Sequence, residues 1–389
     1  MIQEITMRYN QMKAALETLS AYLYAHPELG NQEFESAKRH TDFLEAHNFL
    51  VEKAFLDIPT AFKATYDSGL PGPTIAFLSE YDALPQIGHG CGHNMIGTIS
   101  SGAAIIASEM MGHLGGKIIV FGTPAEENDG AKVDMVDRGV FETVDIALMA
   151  HPSNETAVAV ECLAMEALQF EYIGRAAHAA SCPEKGINAL DGVIGLFNHV
   201  NALREHMVDS ARVHGIISEG GVAANIVPER AVAQFYVRAK TKTYLQELIG
   251  KVKNCAQASA LATGTQLTIS NYEKSYDNMV PSPLLNQVIT EHFKSVGIED
   301  IKGARASMGS ADAGNVSHVC PTAHAMFAIG DETLAGHTMA FAEATQTPRA
   351  LEMMEKVTVA YALTALNLLK DKSLVESIKA EHAANLTQA

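Results

Sequence analysis

The sequence predicts an α/β protein. Its larger domain has a mixed, mainly parallel sheet flanked by helices, and a smaller α+β domain of ferredoxin-like type interrupts it. Three observations carry this reading. Short apolar runs alternate with segments of helical spacing over residues 4–152. Those runs end in polar residues, as buried parallel strands do. From residue 164 the order becomes β-α-β-β-α-β, after which the first pattern resumes.

In order, residues 4–24 and 36–48 have helical spacing, and FKATYD (62–67) and TIAFLSEYD (74–82) read as strands. An Ala- and Gly-rich apolar helix follows at 95–113, then the strands GKIIVFGTP (116–124) and VDIALMAHP (144–152). The interrupting segment reads as strand 164–174, helix 187–207, strands 211–218 and 229–239, helix 243–262 and strand 265–272. Helix 282–296, strand 322–329 and a helical region over 341–383 return to the first pattern. The expected domains are therefore 1–163 with 277–389, and 164–276.

A net charge of −17 disfavours nucleic acid and anionic membrane as partners, while leaving room for a locally basic pocket. The five cysteines are scattered and odd in number, so no disulfide framework is visible and a reducing cytoplasm is expected. The first twenty residues mix charges along an amphipathic helix and lack the apolar core of a signal peptide.

In open α/β sheets, ligands collect at the carboxyl ends of strands. Glu126, Glu127 and His151 are expected just past predicted strand ends, and Cys91-Gly92-His93 lies in the Gly-rich loop GHGCGHN between a strand and a helix. Thiolate, imidazole and carboxylate together suit zinc, and also nickel, cobalt or manganese. Cys91, His93, Glu127, His151 and His337 are the candidate ligands, enough with a bridging water for two divalent ions. On an extended backbone Glu126 and Glu127 point to opposite sides, so one can bind metal while the other faces substrate. This pattern points to metal-assisted hydrolysis.

With these motifs in place, the chain resembles the M20 metallopeptidase/amidohydrolase family, in its subfamily D. The motifs that carry the resemblance are HPELGNQEFES (26–36), EYDALPQIGHGCGHN (80–94), TPAEEN (123–128), GRAAHAAS (174–181), GGVAANIVPERA (220–231), GSADAGNVSHVCP (309–321) and AGHT (335–338). The resemblance implies that the five candidates are the metal ligands and that Glu126 is the general base. It implies that His178 polarises the scissile carbonyl, often in the other subunit's site, and that Asn225 and Arg238 bind the substrate's backbone or carboxylate. Ser310 is expected to contact substrate. Asp312 is expected to support the site or to cap the turn after it. Other branches carry His-x-Asp where this chain has Glu80-Tyr81-Asp82, so a customary first ligand is absent and Asp82 is left as support for the loop.

The implied activity is hydrolysis of an amide in an N-acyl amino acid or dipeptide. The alternatives are a p-aminobenzoyl-glutamate or indole-acyl conjugate, or a non-catalytic metal- or ligand-binding relative. The inserted domain is expected to act as lid and to form a homodimer through its outer strands. A second enzymatic reading makes Cys91 a thiol nucleophile, which leaves the Glu126-Glu127 pair without a task.

Overall fold

The computed structural model describes residues 1–306 and 309–387. The first unit comprises Met1–Glu161 and resumes at Met279; Cys162–Asn278, with residues 309–310, forms the second. The first unit opens with helices α1 (Ile2–Ala25) and α2 (Phe34–Ala46), then strands β1 (Leu50–Lys53), β2 (Phe62–Asp67) and β3 (Thr74–Ser79). Helix α3 (His93–Met110), strand β4 (Lys117–Gly122), helix α4 (Ala131–Asp137) and strands β5 (Ile146–Ser153) and β6 (Val160–Glu161) follow.

The second unit runs β7 (Ala164–Ile173), α5 (Ala189–Leu203), β8 (Arg212–Glu219), β9 (Arg230–Ala239), α6 (Lys242–Thr263) and β10 (Gln266–Asn271). The first unit is completed by α7 (Pro283–Ser295), β11 (Arg305–Ala306), α8 (Ala313–Ser317), β12 (Thr322–Ala328), α9 (Met339–Ala344), α10 (Pro348–Lys370) and α11 (Lys372–Leu386).

Strand alternation builds the first unit. Its sheet has the order β1-β2-β4-β3-β5-β12, parallel from β4 to β12 with β2 and β1 added antiparallel at one edge. Ile75 and Phe77, Ile118 and Val120, and Ile146 and Leu148 face one core with α1, α3, α7 and α10. Their neighbours Ala76 and Leu78, Ile119 and Phe121, and Ala147 and Met149 face the other core with α4 and α8. Period-2 alternation between two apolar faces is what a sheet covered on both sides requires. The stripe Ile5, Tyr9, Met12, Leu16, Leu19 and Leu23 seats α1, each buried side chain contributing about 1.5–3 kcal/mol.

Helix α3 is buried from His93 to Ser108, which fixes the site loop that feeds it. Gly97 permits this close packing, because a Cβ there would lie 2.7 Å from the Glu80 carbonyl oxygen. Strand β1 is absent from the expected elements; LVEK is too short and polar to signal a strand and is held by antiparallel pairing with β2.

The second unit is a four-stranded antiparallel sheet, β10-β7-β9-β8, with α5 and α6 on one face. In β9, Ala231, Ala233, Phe235 and Val237 pack under those helices, whereas Gln234, Tyr236 and Arg238 alternate onto the opposite, half-exposed face. Strand β8 is an edge, with Ile216 and Ile217 exposed. All five cysteines are free thiols, and among the described residues no helix is long and apolar enough to cross a membrane.

Candidate metal centre and active site

Three neighbouring strands deliver the first unit's site. The chain leaves β3 through Glu80 and Asp82 and leaves β4 through Ala125-Glu126-Glu127, while β5 carries His151. His151 lies inside β5, which continues to Ser153, rather than past the strand's end as the apolar run suggests. Cys91 and His93 flank Gly92, whose φ is 79° and where an added Cβ would lie 2.3 Å from Pro152 Cγ, so no side chain fits. His337 comes from after β12. Its N–H donates to the Gly90 carbonyl (2.9 Å), and its φ of 59° is unusual for a non-glycine residue.

These segments converge. Cys91 Sγ lies 3.5 Å from His151 Nε2 and 3.5 Å from His337 Nε2. Glu127 Oε1 is 3.6 Å from His337 Nε2 and 3.9 Å from His93 Nε2, and Glu126 Oε2 is also 3.9 Å from His93 Nε2. Three overlapping donor sets result: Cys91, His93 and His151; Cys91, Glu127 and His337; and His93, Glu126 and Glu127. The five candidate ligands and the candidate base are thus one cluster.

Neighbouring groups fix the histidine tautomers. Asp82 Oδ1 can only accept, so the 2.9 Å contact places the proton of His93 on Nδ1 and turns the Nε2 lone pair inward. The other Asp82 oxygen accepts from the Glu127 backbone N–H at 3.0 Å, so one carboxylate orients two candidate ligands. His151 Nδ1 donates to the Pro152 carbonyl at 2.6 Å, leaving Nε2 to face Cys91. His93 Nε2 and Glu127 Oε1 are buried without hydrogen-bond partners. Such lone pairs are costly in a dry interior and become favourable around a cation, so the donor set fits divalent metal.

The glutamate pair departs from the extended geometry expected of it. Ala125 adopts φ of 62°, its N–H donates to Glu33 Oε1 (2.8 Å), and its carbonyl accepts from Asn128, Asp129 and Gly130. That turn folds residues 126–129 so that both carboxylates approach His93 instead of opposing each other. Neither is solvated: their side chains are 14% and 13% exposed. Burial, with Glu80, Glu127 and Asp312 nearby, pushes the Glu126 carboxyl well above the usual range. Burial and Glu127 push the Cys91 thiol up. Both groups reach their anionic forms at neutral pH when cations offset that repulsion.

One further group belongs to no motif. Lys132 is fully buried, and its Nζ donates to Glu80 Oε1 (2.6 Å) and Asp312 Oδ1 (2.7 Å). Burial alone would raise the Glu80 pKa, but Lys132, His93 and His151 outweigh it and hold it at about 2. Burial dominates at Asp312, only partly offset by Lys132, and pushes it up to about 6. The signal for Lys132 lies in its place: a cation in the first turn of α4 opposes the helix dipole and calls for carboxylate partners. Asp312 precedes α8 but makes no side-chain cap; its carboxylate is committed to Lys132.

The remaining candidates lie in the second unit. His178 is exposed, and its Nδ1 accepts from the Ala180 and Ser181 N–H groups, both at 3.2 Å. Its proton is therefore on Nε2, ready to be donated. The Asn225 carbonyl accepts from Ala179 N–H (3.0 Å) while its side chain is exposed. Arg238 donates to Ser310 Oγ at 3.1 Å.

A cysteine, three imidazoles and paired carboxylates at the carboxyl edge of a parallel sheet are the makings of a metallohydrolase. The chain belongs to the peptidase family M20/M25/M40, whose sequence pattern matches residues 76–366, and it is a hydrolase. It is 36% identical over 397 residues to the Xaa-Arg dipeptidase of Mus musculus, covering 98% of this chain and 92% of that protein. It is 33% identical to one component of the p-aminobenzoyl-glutamate hydrolase of Escherichia coli (strain K12), over 71% of this chain and 61% of that protein. A dinuclear metal-binding peptidase from the M20 family of Bacillus subtilis shares the fold with a TM-score of 0.69 at 20% identity, over 92% of this chain and 99% of that one.

Proposed function

We propose that the chain hydrolyses the amide bond of a dipeptide, or of an N-acyl amino acid, with a free carboxylate on the released amino acid. The observation that carries this reading is the cluster of Glu126 with five metal-competent side chains, among which His93 Nε2 is buried without a hydrogen-bond partner. Cys91, His93, Glu127, His151 and His337 would hold two divalent ions, of zinc, manganese, nickel or cobalt type. Glu80, Asp82, Glu126, Glu127 and Asp312 bring negative charge to this region, and Lys132 offsets part of it. With the Cys91 thiolate counted as well, two divalent cations would offset most of the remainder.

When bound, the ions supply Lewis-acid chemistry, acidifying water and polarising the scissile carbonyl. Glu126 takes the proton of the attacking water and returns it to the leaving amine nitrogen. His178 donates its Nε2 proton as a hydrogen bond to the developing oxyanion, and Asp82 keeps the His93 lone pair turned inward. Arg238 clamps the substrate carboxylate, with Asn225 and Ser310 as polar partners.

The relation to the Xaa-Arg dipeptidase favours dipeptides with a cationic C-terminal residue, and the Escherichia coli relative makes p-aminobenzoyl-glutamate the comparison substrate. The test is metal-loaded and chelated protein assayed against dipeptides, N-acyl amino acids and p-aminobenzoyl-glutamate. Chelator-sensitive release of an amino acid is expected, and full activity after metal removal would sink the reading. We further infer a cytoplasmic homodimer paired along the β8 edge, supported by exposed Ile216 and Ile217 and by the free thiols. Sedimentation showing a fully active monomer would overturn the dimer.

A further inference from the structure

We propose that Glu273, with the rings of Tyr236 and Tyr272, forms the side-chain pocket that selects a cationic C-terminal residue in the substrate. The inference rests on the dipeptidase reading above and deepens it. Its grounds lie wholly within the second unit. Tyr236 stands on the half-exposed face of β9, two residues from Arg238 and therefore on the same side of the sheet. The Arg238 guanidinium lies over the Tyr236 ring, 5.4 Å from its centroid. At the far end of that side chain, the Tyr236 hydroxyl donates to Glu273 Oε2 at 2.6 Å. Tyr272 meets Tyr236 edge to face, with centroids 5.7 Å apart.

The chemistry of this group is that of a guanidinium or ammonium receptor. A carboxylate whose position is set by one hydrogen bond keeps its other lone pairs for a fork of N–H donors. The Tyr236 ring already meets Arg238 and His214, and the Tyr272 ring beside it adds an aromatic surface that attracts a cation through its quadrupole. Glu273 and both tyrosines are partly exposed, so a ligand can reach them. One tyrosine touches both Arg238 and Glu273, and an extended arginine residue separates its carboxylate from its guanidinium by about 6–7 Å, on the scale of that one side chain. Arg238 would take the carboxylate and Glu273 the side chain of the same residue. A substrate ending in aspartate or glutamate would meet Glu273 with a like charge, so the group rejects as well as selects.

The experiment measures kcat/KM of the metal-loaded enzyme for dipeptides that share one N-terminal residue and end in arginine, lysine, leucine or aspartate. In the wild type the cationic pair is preferred. Glu273→Gln lowers the ratio of kcat/KM for arginine over leucine by about 10- to 100-fold, the worth of a hydrogen bond to a charged group. Glu273→Lys moves the preference toward the aspartate dipeptide, Glu273→Asp retains part of the cationic preference, and Tyr236→Phe lowers it by releasing the carboxylate. Circular dichroism shows that each variant is folded. An unchanged arginine-to-leucine ratio in Glu273→Gln, with the wild type preferring arginine, overturns the pocket and leaves the dipeptidase reading standing. A wild type that cleaves dipeptides without cationic preference also overturns the pocket. A wild type that cleaves none of them overturns the dipeptidase reading and the pocket together.

Discussion

Replacing Lys132 by methionine tests whether the buried ion network supports the site. Lys132 Nζ is shared by Glu80 at 2.6 Å and Asp312 at 2.7 Å, and all three side chains are almost wholly excluded from solvent. Methionine fills much of the same volume but leaves two carboxylates without their cation. Breaking a buried pair by removing one partner costs about 3–5 kcal/mol, which for a unit of this size lowers Tm by roughly 10 °C. The cost depends on pH in a definite direction. Without the Lys132 ammonium, burial is opposed only by His93 and His151 at Glu80 and by the backbone N–H of residue 132 at Asp312, and both folded pKa values rise. Such a group is well tolerated below its unfolded pKa and becomes destabilising as pH rises through its folded pKa, by about 1.4 kcal/mol per pH unit for each carboxyl that keeps its proton. Lys132→Met is therefore expected to be much less stable than wild type at pH 8 and closer to it at pH 5. Adding Glu80→Gln and Asp312→Asn should recover most of the loss, since the buried charges then go together. Urea unfolding followed by circular dichroism, with chelator present throughout, measures each difference. A cost below about 1 kcal/mol at pH 8, or an equal cost at pH 5 and pH 8, would refute the reasoning.

Glu126→Gln is expected to lower kcat by at least about two to four orders of magnitude while metal content, measured by atomic emission, stays at the wild-type level; a matching loss of metal would recast Glu126 as a ligand. Asp82→Asn should weaken metal binding about 10- to 100-fold, because it loosens both the His93 tautomer and the Glu127 backbone, and competition with a chromophoric chelator reads that change. Glu33 is pushed up to about 7 by burial and Asp82, so the stability it contributes is full below its unfolded pKa and is lost as pH rises through about 7. The stability of Glu33→Gln relative to wild type should therefore increase by about 3 kcal/mol between pH 4 and pH 8 in metal-free protein, and a flat difference would contradict the shift. His40, lowered to about 3 by burial, works in the opposite sense: its contribution is present above its unfolded pKa and is lost as pH falls through the acid range, which His40→Gln should moderate in an acid-unfolding curve.

Much of this molecule is legible because its signals are local. Alternation along TIAFLS and KIIVFG identifies strands, and Cys91-Gly92-His93 with Glu126-Glu127 identifies a metal-competent site from residue types and spacing alone. What resists reading is set by distant partners. Lys132 finds Glu80 52 residues away and Asp312 180 residues away, so nothing beside it in the chain announces an ion network. The Glu126-Glu127 geometry turns on the backbone at Ala125, an ordinary residue in an uncommon conformation held by the Glu33 carboxylate. Strand β1 exists because β2 pairs with it, and pairing is a property of the sheet. The β9 strand is readable from its alternation, but the company that Tyr236 keeps on its outer face is not, since Glu273 lies 37 residues later.

The pairing of β12 with β5 has a consequence for how the chain is made. On the ribosome, β5 emerges with its outer edge bare, and the strand that covers it follows only after the whole second unit has been synthesised. At about 5–20 residues per second, that interval is on the order of ten seconds or more. Throughout it, an apolar edge and the half-built cluster of Cys91, His93, Glu127 and His151 stand open, while His337 has yet to emerge. The second unit has its own core and can fold in the meantime. In the nascent first unit, the last of the candidate donors thus arrives just after the last strand of the sheet, and the bare β5 edge is open to pairing until then.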